Sequence, residues 1–165
     1  MTYAITYSTR TGNTKLLAEN IKNTIKKDSL VYYGPLADEA LKADYIFVGF
    51  WTDMGKCDKD TFSFLAKLQN KKIFLFGTAG FGESQEYIAK IIERTKEAIS
   101  STNEIVDSFM CQGKMPMAVK DKYLKLKNSN TKIPNIDMLI NNFDKALSHP
   151  DANVLALLKL KLKEI

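Results

Sequence analysis

A hydroxyl-rich turn near the amino terminus carries the clearest chemistry in the sequence. It reads Ser8-Thr9-Arg10-Thr11-Gly12-Asn13-Thr14, and a helical pattern follows from about Lys15. The first N–H groups of a helix have no partner within the helix and lie at the positive end of its dipole, so a phosphate is stabilised there without a dedicated lysine. Hydroxyl groups add neutral donors, and Gly12 lets the backbone approach closely. The turn therefore predicts a phosphate-binding site.

Helix capping is the alternative explanation for these hydroxyl groups, because Ser and Thr are common caps. One hydroxyl, on Ser8 or Thr11, would be enough for a cap, whereas this turn has four in seven residues. The turn also lacks the G-x-G-x-x-G and G-x-x-x-x-G-K-[ST] patterns, which argues against a Rossmann dinucleotide site and a P-loop. An anion site of another kind is favoured.

Two further segments each pair glycine with large aromatic residues. They are Phe50-Trp51-Thr52-Asp53-Met54-Gly55 and Thr78-Ala79-Gly80-Phe81. Such loops suit a flat ring that stacks on aromatic side chains and takes hydrogen bonds from the backbone. The alternatives are that Trp51 closes the core and that Phe81 is a surface contact before the next helix. In a third segment, Gln112 and Gly113 either donate to such a ring or simply turn the chain, and both interpretations stay open.

Five short segments rich in β-branched and aromatic residues predict the strands that position these loops. They are residues 3–7, 30–33, 45–51, 73–77 and 105–111. The third and fourth are almost continuously apolar, as expected for central parallel strands covered on both faces.

Helical spacing of apolar residues recurs between and after these strands. The predicted helices carry the stripes Leu17 to Ile25, Ile88 to Ile99 and Ile136 to Leu147, with a weaker helix over 59–69 and a terminal one over 153–165. Strand and helix alternate, so we predict an α/β fold with a five-stranded, doubly wound parallel sheet in the order 2-1-3-4-5. A ligand in such a sheet lies at the carboxyl ends of the strands, where the winding direction reverses.

Length and composition fit one domain over residues 1–165, with 45% hydrophobic and 26% charged residues. We expect a cytoplasmic location and no membrane span, because no export signal and no apolar run of ~20 residues is visible. Cys57, Cys111 and His149 are too scattered for a metal site, so we predict no metal. The net charge of +5 favours an acidic partner or anionic ligand, and without a recognition motif we predict no nucleic-acid binding.

The hydroxyl-rich turn resembles the phosphate loop of the flavodoxin family, whose pattern is close to [ST]-x-T-G-N-T. Thr9, Thr11, Gly12, Asn13 and Thr14 fall on that pattern, and the resemblance covers nearly the whole chain. It implies a flavodoxin-like three-layer sandwich that binds FMN, with the monophosphate on residues 8–14.

The same resemblance assigns the ring of FMN to the aromatic loops. Trp51 and Phe81 become the stacking neighbours, and the Met54-Gly55 peptide becomes a hydrogen-bond donor to the reduced flavin. Asp53 is the one carboxylate expected near the ring, with an electrostatic role. No catalytic residue is predicted, and the implied function is electron transfer to an acidic redox partner by a monomer or weak dimer.

The chain departs from typical acidic flavodoxins in its lysines. They are Lys56, Lys114, Lys120, Lys122, Lys125, Lys127 and Lys132. If these lysines lie near the ring, their positive charges would make the potential for full reduction of the flavin less negative. The alternative is that they cover a solvated helical face.

Two alternatives to the electron carrier stay open. One is an FMN-dependent oxidoreductase, or an accessory protein of a reductase, acting on a quinone or a tetrapyrrole such as bilirubin. The other is an accessory subunit that has lost the flavin. The segment Ser148-His149-Pro150-Asp151 before the last helix is similar to that of small flavodoxin-like proteins that accompany bilirubin reductase. The terminal helix docks on the sheet or forms a face for a partner or a membrane surface.

Overall fold

The computed structural model describes residues 1–82, 84–130 and 133–165 of the chain. Five parallel strands form its centre, in the order β2-β1-β3-β5-β6. The strands are β1 (Tyr3–Tyr7), β2 (Leu30–Pro35), β3 (Tyr45–Asp53), β4 (Lys56–Cys57), β5 (Lys72–Ala79) and β6 (Glu104–Gln112). Since β4 lies off this path, the order predicted from the sequence is confirmed.

The short strand β4 is an addition that the sequence pattern did not reveal. It pairs antiparallel with the end of β3, with Asp53 opposite Lys56 and Thr52 opposite Cys57. The two residues between them, Met54 and Gly55, form the turn of a hairpin. Two residues are too few for a detectable alternation of apolar and polar side chains.

Six α-helices accompany the sheet in the described part of the chain. They are α1 (Asn13–Thr24), α2 (Lys59–Leu65), α3 (Gln85–Lys96), α4 (Met117–Lys127), α5 (Ile136–Ala146) and α6 (Ala152–Leu162). The prediction missed α4, which has no buried residue and therefore no apolar stripe. Strict alternation of strand and helix is wrong between β2 and β3, where only a short 3₁₀ turn, Asp38–Lys42, intervenes. Of the predicted basic residues, Lys132 lies outside the described residues.

Both faces of the sheet are covered. On one face Ile46, Val48 and Phe50 pack with buried side chains that include Leu65 and Ile91. This explains why the central strands are apolar at every position rather than at alternate ones.

The opposite face holds the aromatic core and the terminal helix. Phe47 and Phe74 have ring centroids 5.4 Å apart, and Leu17 of α1 lies in the same cluster. Leu158 and Leu162 of α6 are buried there too, so the terminal helix docks as predicted. In the part of the chain that the structure describes, no helix combines the length and apolarity needed to cross a membrane.

Candidate functional site

The hydroxyl-rich turn joins β1 to α1 at the carboxyl edge of the sheet. Helix α1 begins at Asn13, two residues earlier than predicted, and Gly12 precedes it with a φ of 87°, in the left-handed region that favours glycine. No side chain among the described residues caps this helix. The N–H groups of its first turn therefore point into the turn without a capping oxygen, as an anion site requires.

The four hydroxyl groups of the turn have different surroundings. The Thr9 hydroxyl accepts a hydrogen bond from the Gly12 N–H at 3.1 Å, and the Ser8 hydroxyl accepts one from the Trp51 indole at 3.2 Å. Thr14, in contrast, is fully buried and donates to the carbonyl of Phe50 at 3.1 Å. Its side chain fastens α1 to β3, while the hydroxyls of Ser8, Thr9 and Thr11 remain nearer the surface.

Asn13 links the turn to the chain after β6. Its side-chain amide donates to the Thr11 hydroxyl at 2.9 Å and to the carbonyl of Lys114 at 2.8 Å. Gly113 is buried beside it, and a β-carbon at Gly113 would lie 2.5 Å from the Asn13 amide nitrogen. The two segments thus form one continuous wall.

A cavity of about 310 Å³ opens beside this wall, at the edge where the predicted loops meet. Its walls include most of the residues that the sequence placed at the site: Arg10, Thr11, Asn13, Trp51, Thr52, Asp53, Met54, Gly55, Thr78, Ala79, Gly80, Phe81 and Gly113. The other predicted site residues do not line the cavity: Ser8, Thr9, Gly12, Thr14, Phe50 and Gln112. Phe50 is fully buried and belongs to the core.

The two predicted aromatic residues differ in exposure. Trp51 is half-buried, and the guanidinium carbon of Arg10 lies 5.4 Å from the centre of its ring system. Phe81 is 39% exposed. An exposed aromatic ring beside a cavity contributes stacking surface without contributing to the core.

The turn between β3 and β4 has an uncommon backbone. Both Met54 and Gly55 have positive φ, at 51° and 83°, and the Met54 side chain is 95% exposed. The guanidinium of Arg94 donates to the Gly55 carbonyl at 3.4 Å. Two consecutive positive φ values are typical of the tight hairpin turn that best fits the strand twist.

The loop after β5 is fixed by two side-chain amides. Gln112 and Asn142 both donate to the carbonyl of Gly80, at 2.9 and 3.1 Å, and Gln112 also donates to the Asn142 side-chain oxygen at 3.1 Å. The side chain of Gln112 therefore holds the loop, an arrangement that neither sequence-based interpretation included. Asn142 was missed entirely, because a polar residue on an amphipathic helix carries no signal of its own.

Some lining residues escaped the sequence analysis, namely Tyr87 of α3, Pro116 and Val119. Lys114, one of the lysines considered near the ring, lines the cavity too, as does Met115 from the same segment after β6. On the other side of the phosphate turn, His149, Lys15 and Lys114 line a polar cavity of about 400 Å³. No chemical role is predicted for His149 from the sequence, yet it lies beside the predicted phosphate site.

Two lysines of the basic segment are paired with carboxylates. Lys120 pairs with Asp144 and Lys127 with Asp137, each at 2.7 Å. The ammonium of Lys56 lies 4.5 Å from the ring centre of Phe62. Of the lysines in this group that the structure describes, Lys114 lines the cavity.

Both cysteines are buried free thiols. Burial raises the pKa of the Cys57 thiol to about 11 and that of Cys111 to about 12. Both groups are therefore protonated thiols at neutral pH.

Comparison with known proteins identifies the family. The family model of the flavodoxin domain matches residues 4–162. The chain belongs to the flavodoxin family. This flavodoxin-family chain is 38% identical over 154 residues to the flavodoxin-like domain-containing protein BilS of Clostridioides difficile (strain CD3), covering 89% of this chain and 86% of the relative.

A second relative agrees with this assignment, and a solved structure shares the fold. BilS of Clostridium symbiosum (strain WAL-14163) is 36% identical over 173 residues, covering 94% of this chain and 91% of the relative. The solution structure of two-electron reduced Megasphaera elsdenii flavodoxin has a TM-score of 0.51 and 22% identity, covering 87% of this chain and 99% of that chain. The resemblance to flavodoxins noted from the sequence is confirmed.

Proposed function

We propose that this flavodoxin-family chain binds FMN at the carboxyl edge of its sheet and passes electrons to a redox partner protein. One observation carries the proposal: the uncapped amino terminus of α1 and an aromatic-lined cavity lie side by side at that edge. The helix terminus suits a phosphate, and the cavity beside it suits a flat ring.

The phosphate end of FMN binds in the turn of residues 8–14. The backbone N–H groups at the start of α1 and the hydroxyls of Ser8, Thr9 and Thr11 supply neutral donors. Arg10 adds a positive charge at the rim of the cavity. Thr14 contributes through its backbone, because its hydroxyl is engaged with Phe50.

The ring lies between the loop of Trp51 to Gly55 and the loop of Thr78 to Phe81. Trp51 and Phe81 offer aromatic surface, while Thr52, Asp53, Ala79 and Gly113 line the remaining walls. FMN supplies the electron chemistry when bound, and the chain positions it and sets its potential.

An acidic partner fits the net charge of +5. Charge complementarity of this kind raises association rates and is weakened by salt. We propose that the chain docks as a monomer or weak dimer, in the cytoplasm.

A second candidate is an FMN-dependent oxidoreductase, or an accessory protein of a reductase, acting on a quinone or a tetrapyrrole such as bilirubin. An apolar cavity that adjoins the first one favours it, because a direct substrate needs a place next to the ring. Asp151, in the segment that resembles proteins accompanying bilirubin reductase, caps α6 by accepting the Val154 N–H at 2.9 Å.

An absorption spectrum of the protein as purified, followed by titration of flavin-free protein with FMN, tests the proposal. We expect saturable one-to-one binding that is weakened about a hundredfold by the double change of Thr9 and Thr11 to alanine, since two polar contacts near a charge are lost. Thr24→Ala, at the other end of α1, is the matched control. Absence of FMN binding, or equal binding by the double variant, overturns the proposal.

A turnover assay distinguishes the electron carrier from the oxidoreductase. Holoprotein mixed with NADPH and either a quinone or bilirubin should show no turnover if it is a carrier. Turnover without an added reductase would favour the second candidate.

A further inference from the structure

A second cavity of about 670 Å³ lies directly next to the candidate flavin cavity. Phe81 and Tyr87 line both cavities, so these two aromatic side chains are shared by the two spaces. The rest of the second cavity comes from Ser84, just before α3, and from α5, through Met138, Asn141, Asn142 and Lys145.

The walls of this cavity have the composition of a small-molecule site. Phe81, Tyr87 and Met138 provide apolar surface, and Asn141 and Lys145 provide polar groups on the side of α5. Small-molecule sites are mostly apolar cavities of about 300–1,000 Å³ with a few polar groups that fix orientation. Met138 is 59% exposed and Phe81 39% exposed, so both present large apolar surface that the core does not use.

The cavity is preformed rather than loose. Asn142 is held at both ends of its amide, donating to the Gly80 carbonyl and accepting from Gln112. Ser84 caps α3 by accepting the Tyr87 N–H at 3.2 Å, which fixes the start of the helix that carries Tyr87. The amide of Asn141, one residue before Asn142, is exposed and makes no hydrogen bond to any described residue.

We propose that this second cavity binds a flat, mostly apolar aromatic molecule that carries carbonyl or carboxylate oxygens. Its ring stacks on Phe81 and Tyr87 and contacts the thioether of Met138, a soft, polarisable group that favours aromatic neighbours. Its oxygens accept hydrogen bonds from the Asn141 amide and the Lys145 ammonium. The proposal rests on the proposed function, because it names a class of ligand that would lie next to the flavin. The walls of the second cavity, however, are formed by residues of the chain itself.

Anthraquinone-2-carboxylate is a suitable probe, because it is flat, has two ring carbonyls and carries a carboxylate. Its binding is measured by isothermal titration calorimetry, both to flavin-free protein and to protein saturated with FMN. We expect saturable one-to-one binding in both states.

Two variants test whether the probe binds in this cavity. Met138→Trp fills the space and should weaken binding about tenfold or more, whereas Asn141→Leu removes one donor and should weaken it about fivefold. Met117→Trp is the matched control, since Met117 is also exposed, at 57%, but lies on α4 outside this cavity. It should leave the dissociation constant within about twofold, and FMN affinity should be unchanged in all three variants.

Three results would overturn the inference. They are an absence of saturable probe binding, equal binding by Met138→Trp and the wild type, and loss of probe binding when FMN saturates the protein, which would put the probe in the flavin cavity. The FMN titration is scored separately, so a chain that binds the probe but not FMN contradicts the proposed function alone.

Discussion

Asn142 donates a hydrogen bond of 3.1 Å to the carbonyl of Gly80, 62 positions earlier in the chain. Gln112 donates to the same oxygen at 2.9 Å. The carbonyl of one residue and the N–H of the next point in opposite directions across a trans peptide. Holding the Gly80 carbonyl on the α5 side therefore fixes the direction of the Phe81 N–H as well, at the wall of the candidate flavin cavity.

Replacing Asn142 by leucine should weaken FMN binding about five- to tenfold, because a hydrogen bond of about 1 kcal/mol that holds the loop is lost. Fluorescence titration of flavin-free protein measures the dissociation constant. Asn141→Leu, one residue earlier on the same helix, is the control and should bind FMN as the wild type does. Equal affinities for the Asn142 variant and the control would show that the amide does not position the loop.

The phosphate turn predicts a difference between FMN and riboflavin. Thr9→Ala removes the acceptor of the Gly12 N–H and should weaken FMN binding about tenfold, while riboflavin, which has no phosphate, should bind within about twofold of its wild-type affinity. Thr9→Ser keeps the oxygen and should restore FMN affinity. A parallel loss for both ligands would point to general disruption of the turn.

The turn between β3 and β4 predicts a stabilising substitution. Met54 has a φ of 51° with its side chain 95% exposed, a left-handed conformation that asparagine tolerates better than methionine. Met54→Asn should raise the free energy of unfolding by about 0.5–1 kcal/mol, measured by urea denaturation. Gly55→Ala should lower it by about 1 kcal/mol or more, because alanine is strained at a φ of 83°. The opposite signs would contradict this backbone geometry.

Lys114 should affect the two-electron reduction potential of bound FMN more than the other lysines do. It lines the cavity, whereas Lys120 and Lys127 are paired with carboxylates. Lys114→Gln removes a charge that stabilises a reduced, anionic flavin, so the two-electron potential should become more negative by about 20 mV, which corresponds to about 1 kcal/mol. Anaerobic redox titration measures the shift. Lys122→Gln, away from the cavity, should change the potential by a smaller amount, and equal shifts would indicate a general effect of net charge.

The buried thiols predict a loss of stability at high pH. Burial raises the pKa of Cys57 to about 11 and of Cys111 to about 12, above the ordinary thiol value near 9. Between these values the unfolded chain loses thiol protons that the folded chain retains, so the free energy of unfolding falls as pH rises from about 9. Urea denaturation from pH 8 to 11 should show a shallower decline for Cys57→Ala and Cys111→Ala than for the wild type. An unchanged slope would assign the decline to other groups.

Much of the fold could be predicted because its signals lie in consecutive residues of the sequence. The apolar runs of β3 and β5 could be assigned to central strands because both faces of a parallel sheet are buried. The hydroxyl-rich turn was visible because its seven residues are consecutive. Strand β4 and helix α4 escaped, the first because it has only two residues and the second because it has no buried face.

The walls of the candidate site were predicted less completely, for a physical reason. Tyr87 and Asn142 reach the site from α3 and α5, where aromatic and amide side chains look the same in the sequence whether they face solvent or a loop. The contacts that distinguish them, such as Asn142 with Gly80, depend on how helices pack on the sheet. That packing is a property of the folded chain and not of any local pattern.

The Asn13 amide bridges the Thr11 hydroxyl and the Lys114 carbonyl, and the Lys114 N–H in turn donates to the carbonyl of His149 at 3.0 Å. A continuous series of hydrogen bonds thus joins the turn near the amino terminus to Lys114 and on to His149. A fragment ending at Gln112 would retain every strand of the sheet and yet lack one side of the site. Assembly of the candidate site must therefore wait until the segment that carries Lys114 and His149 has been synthesised.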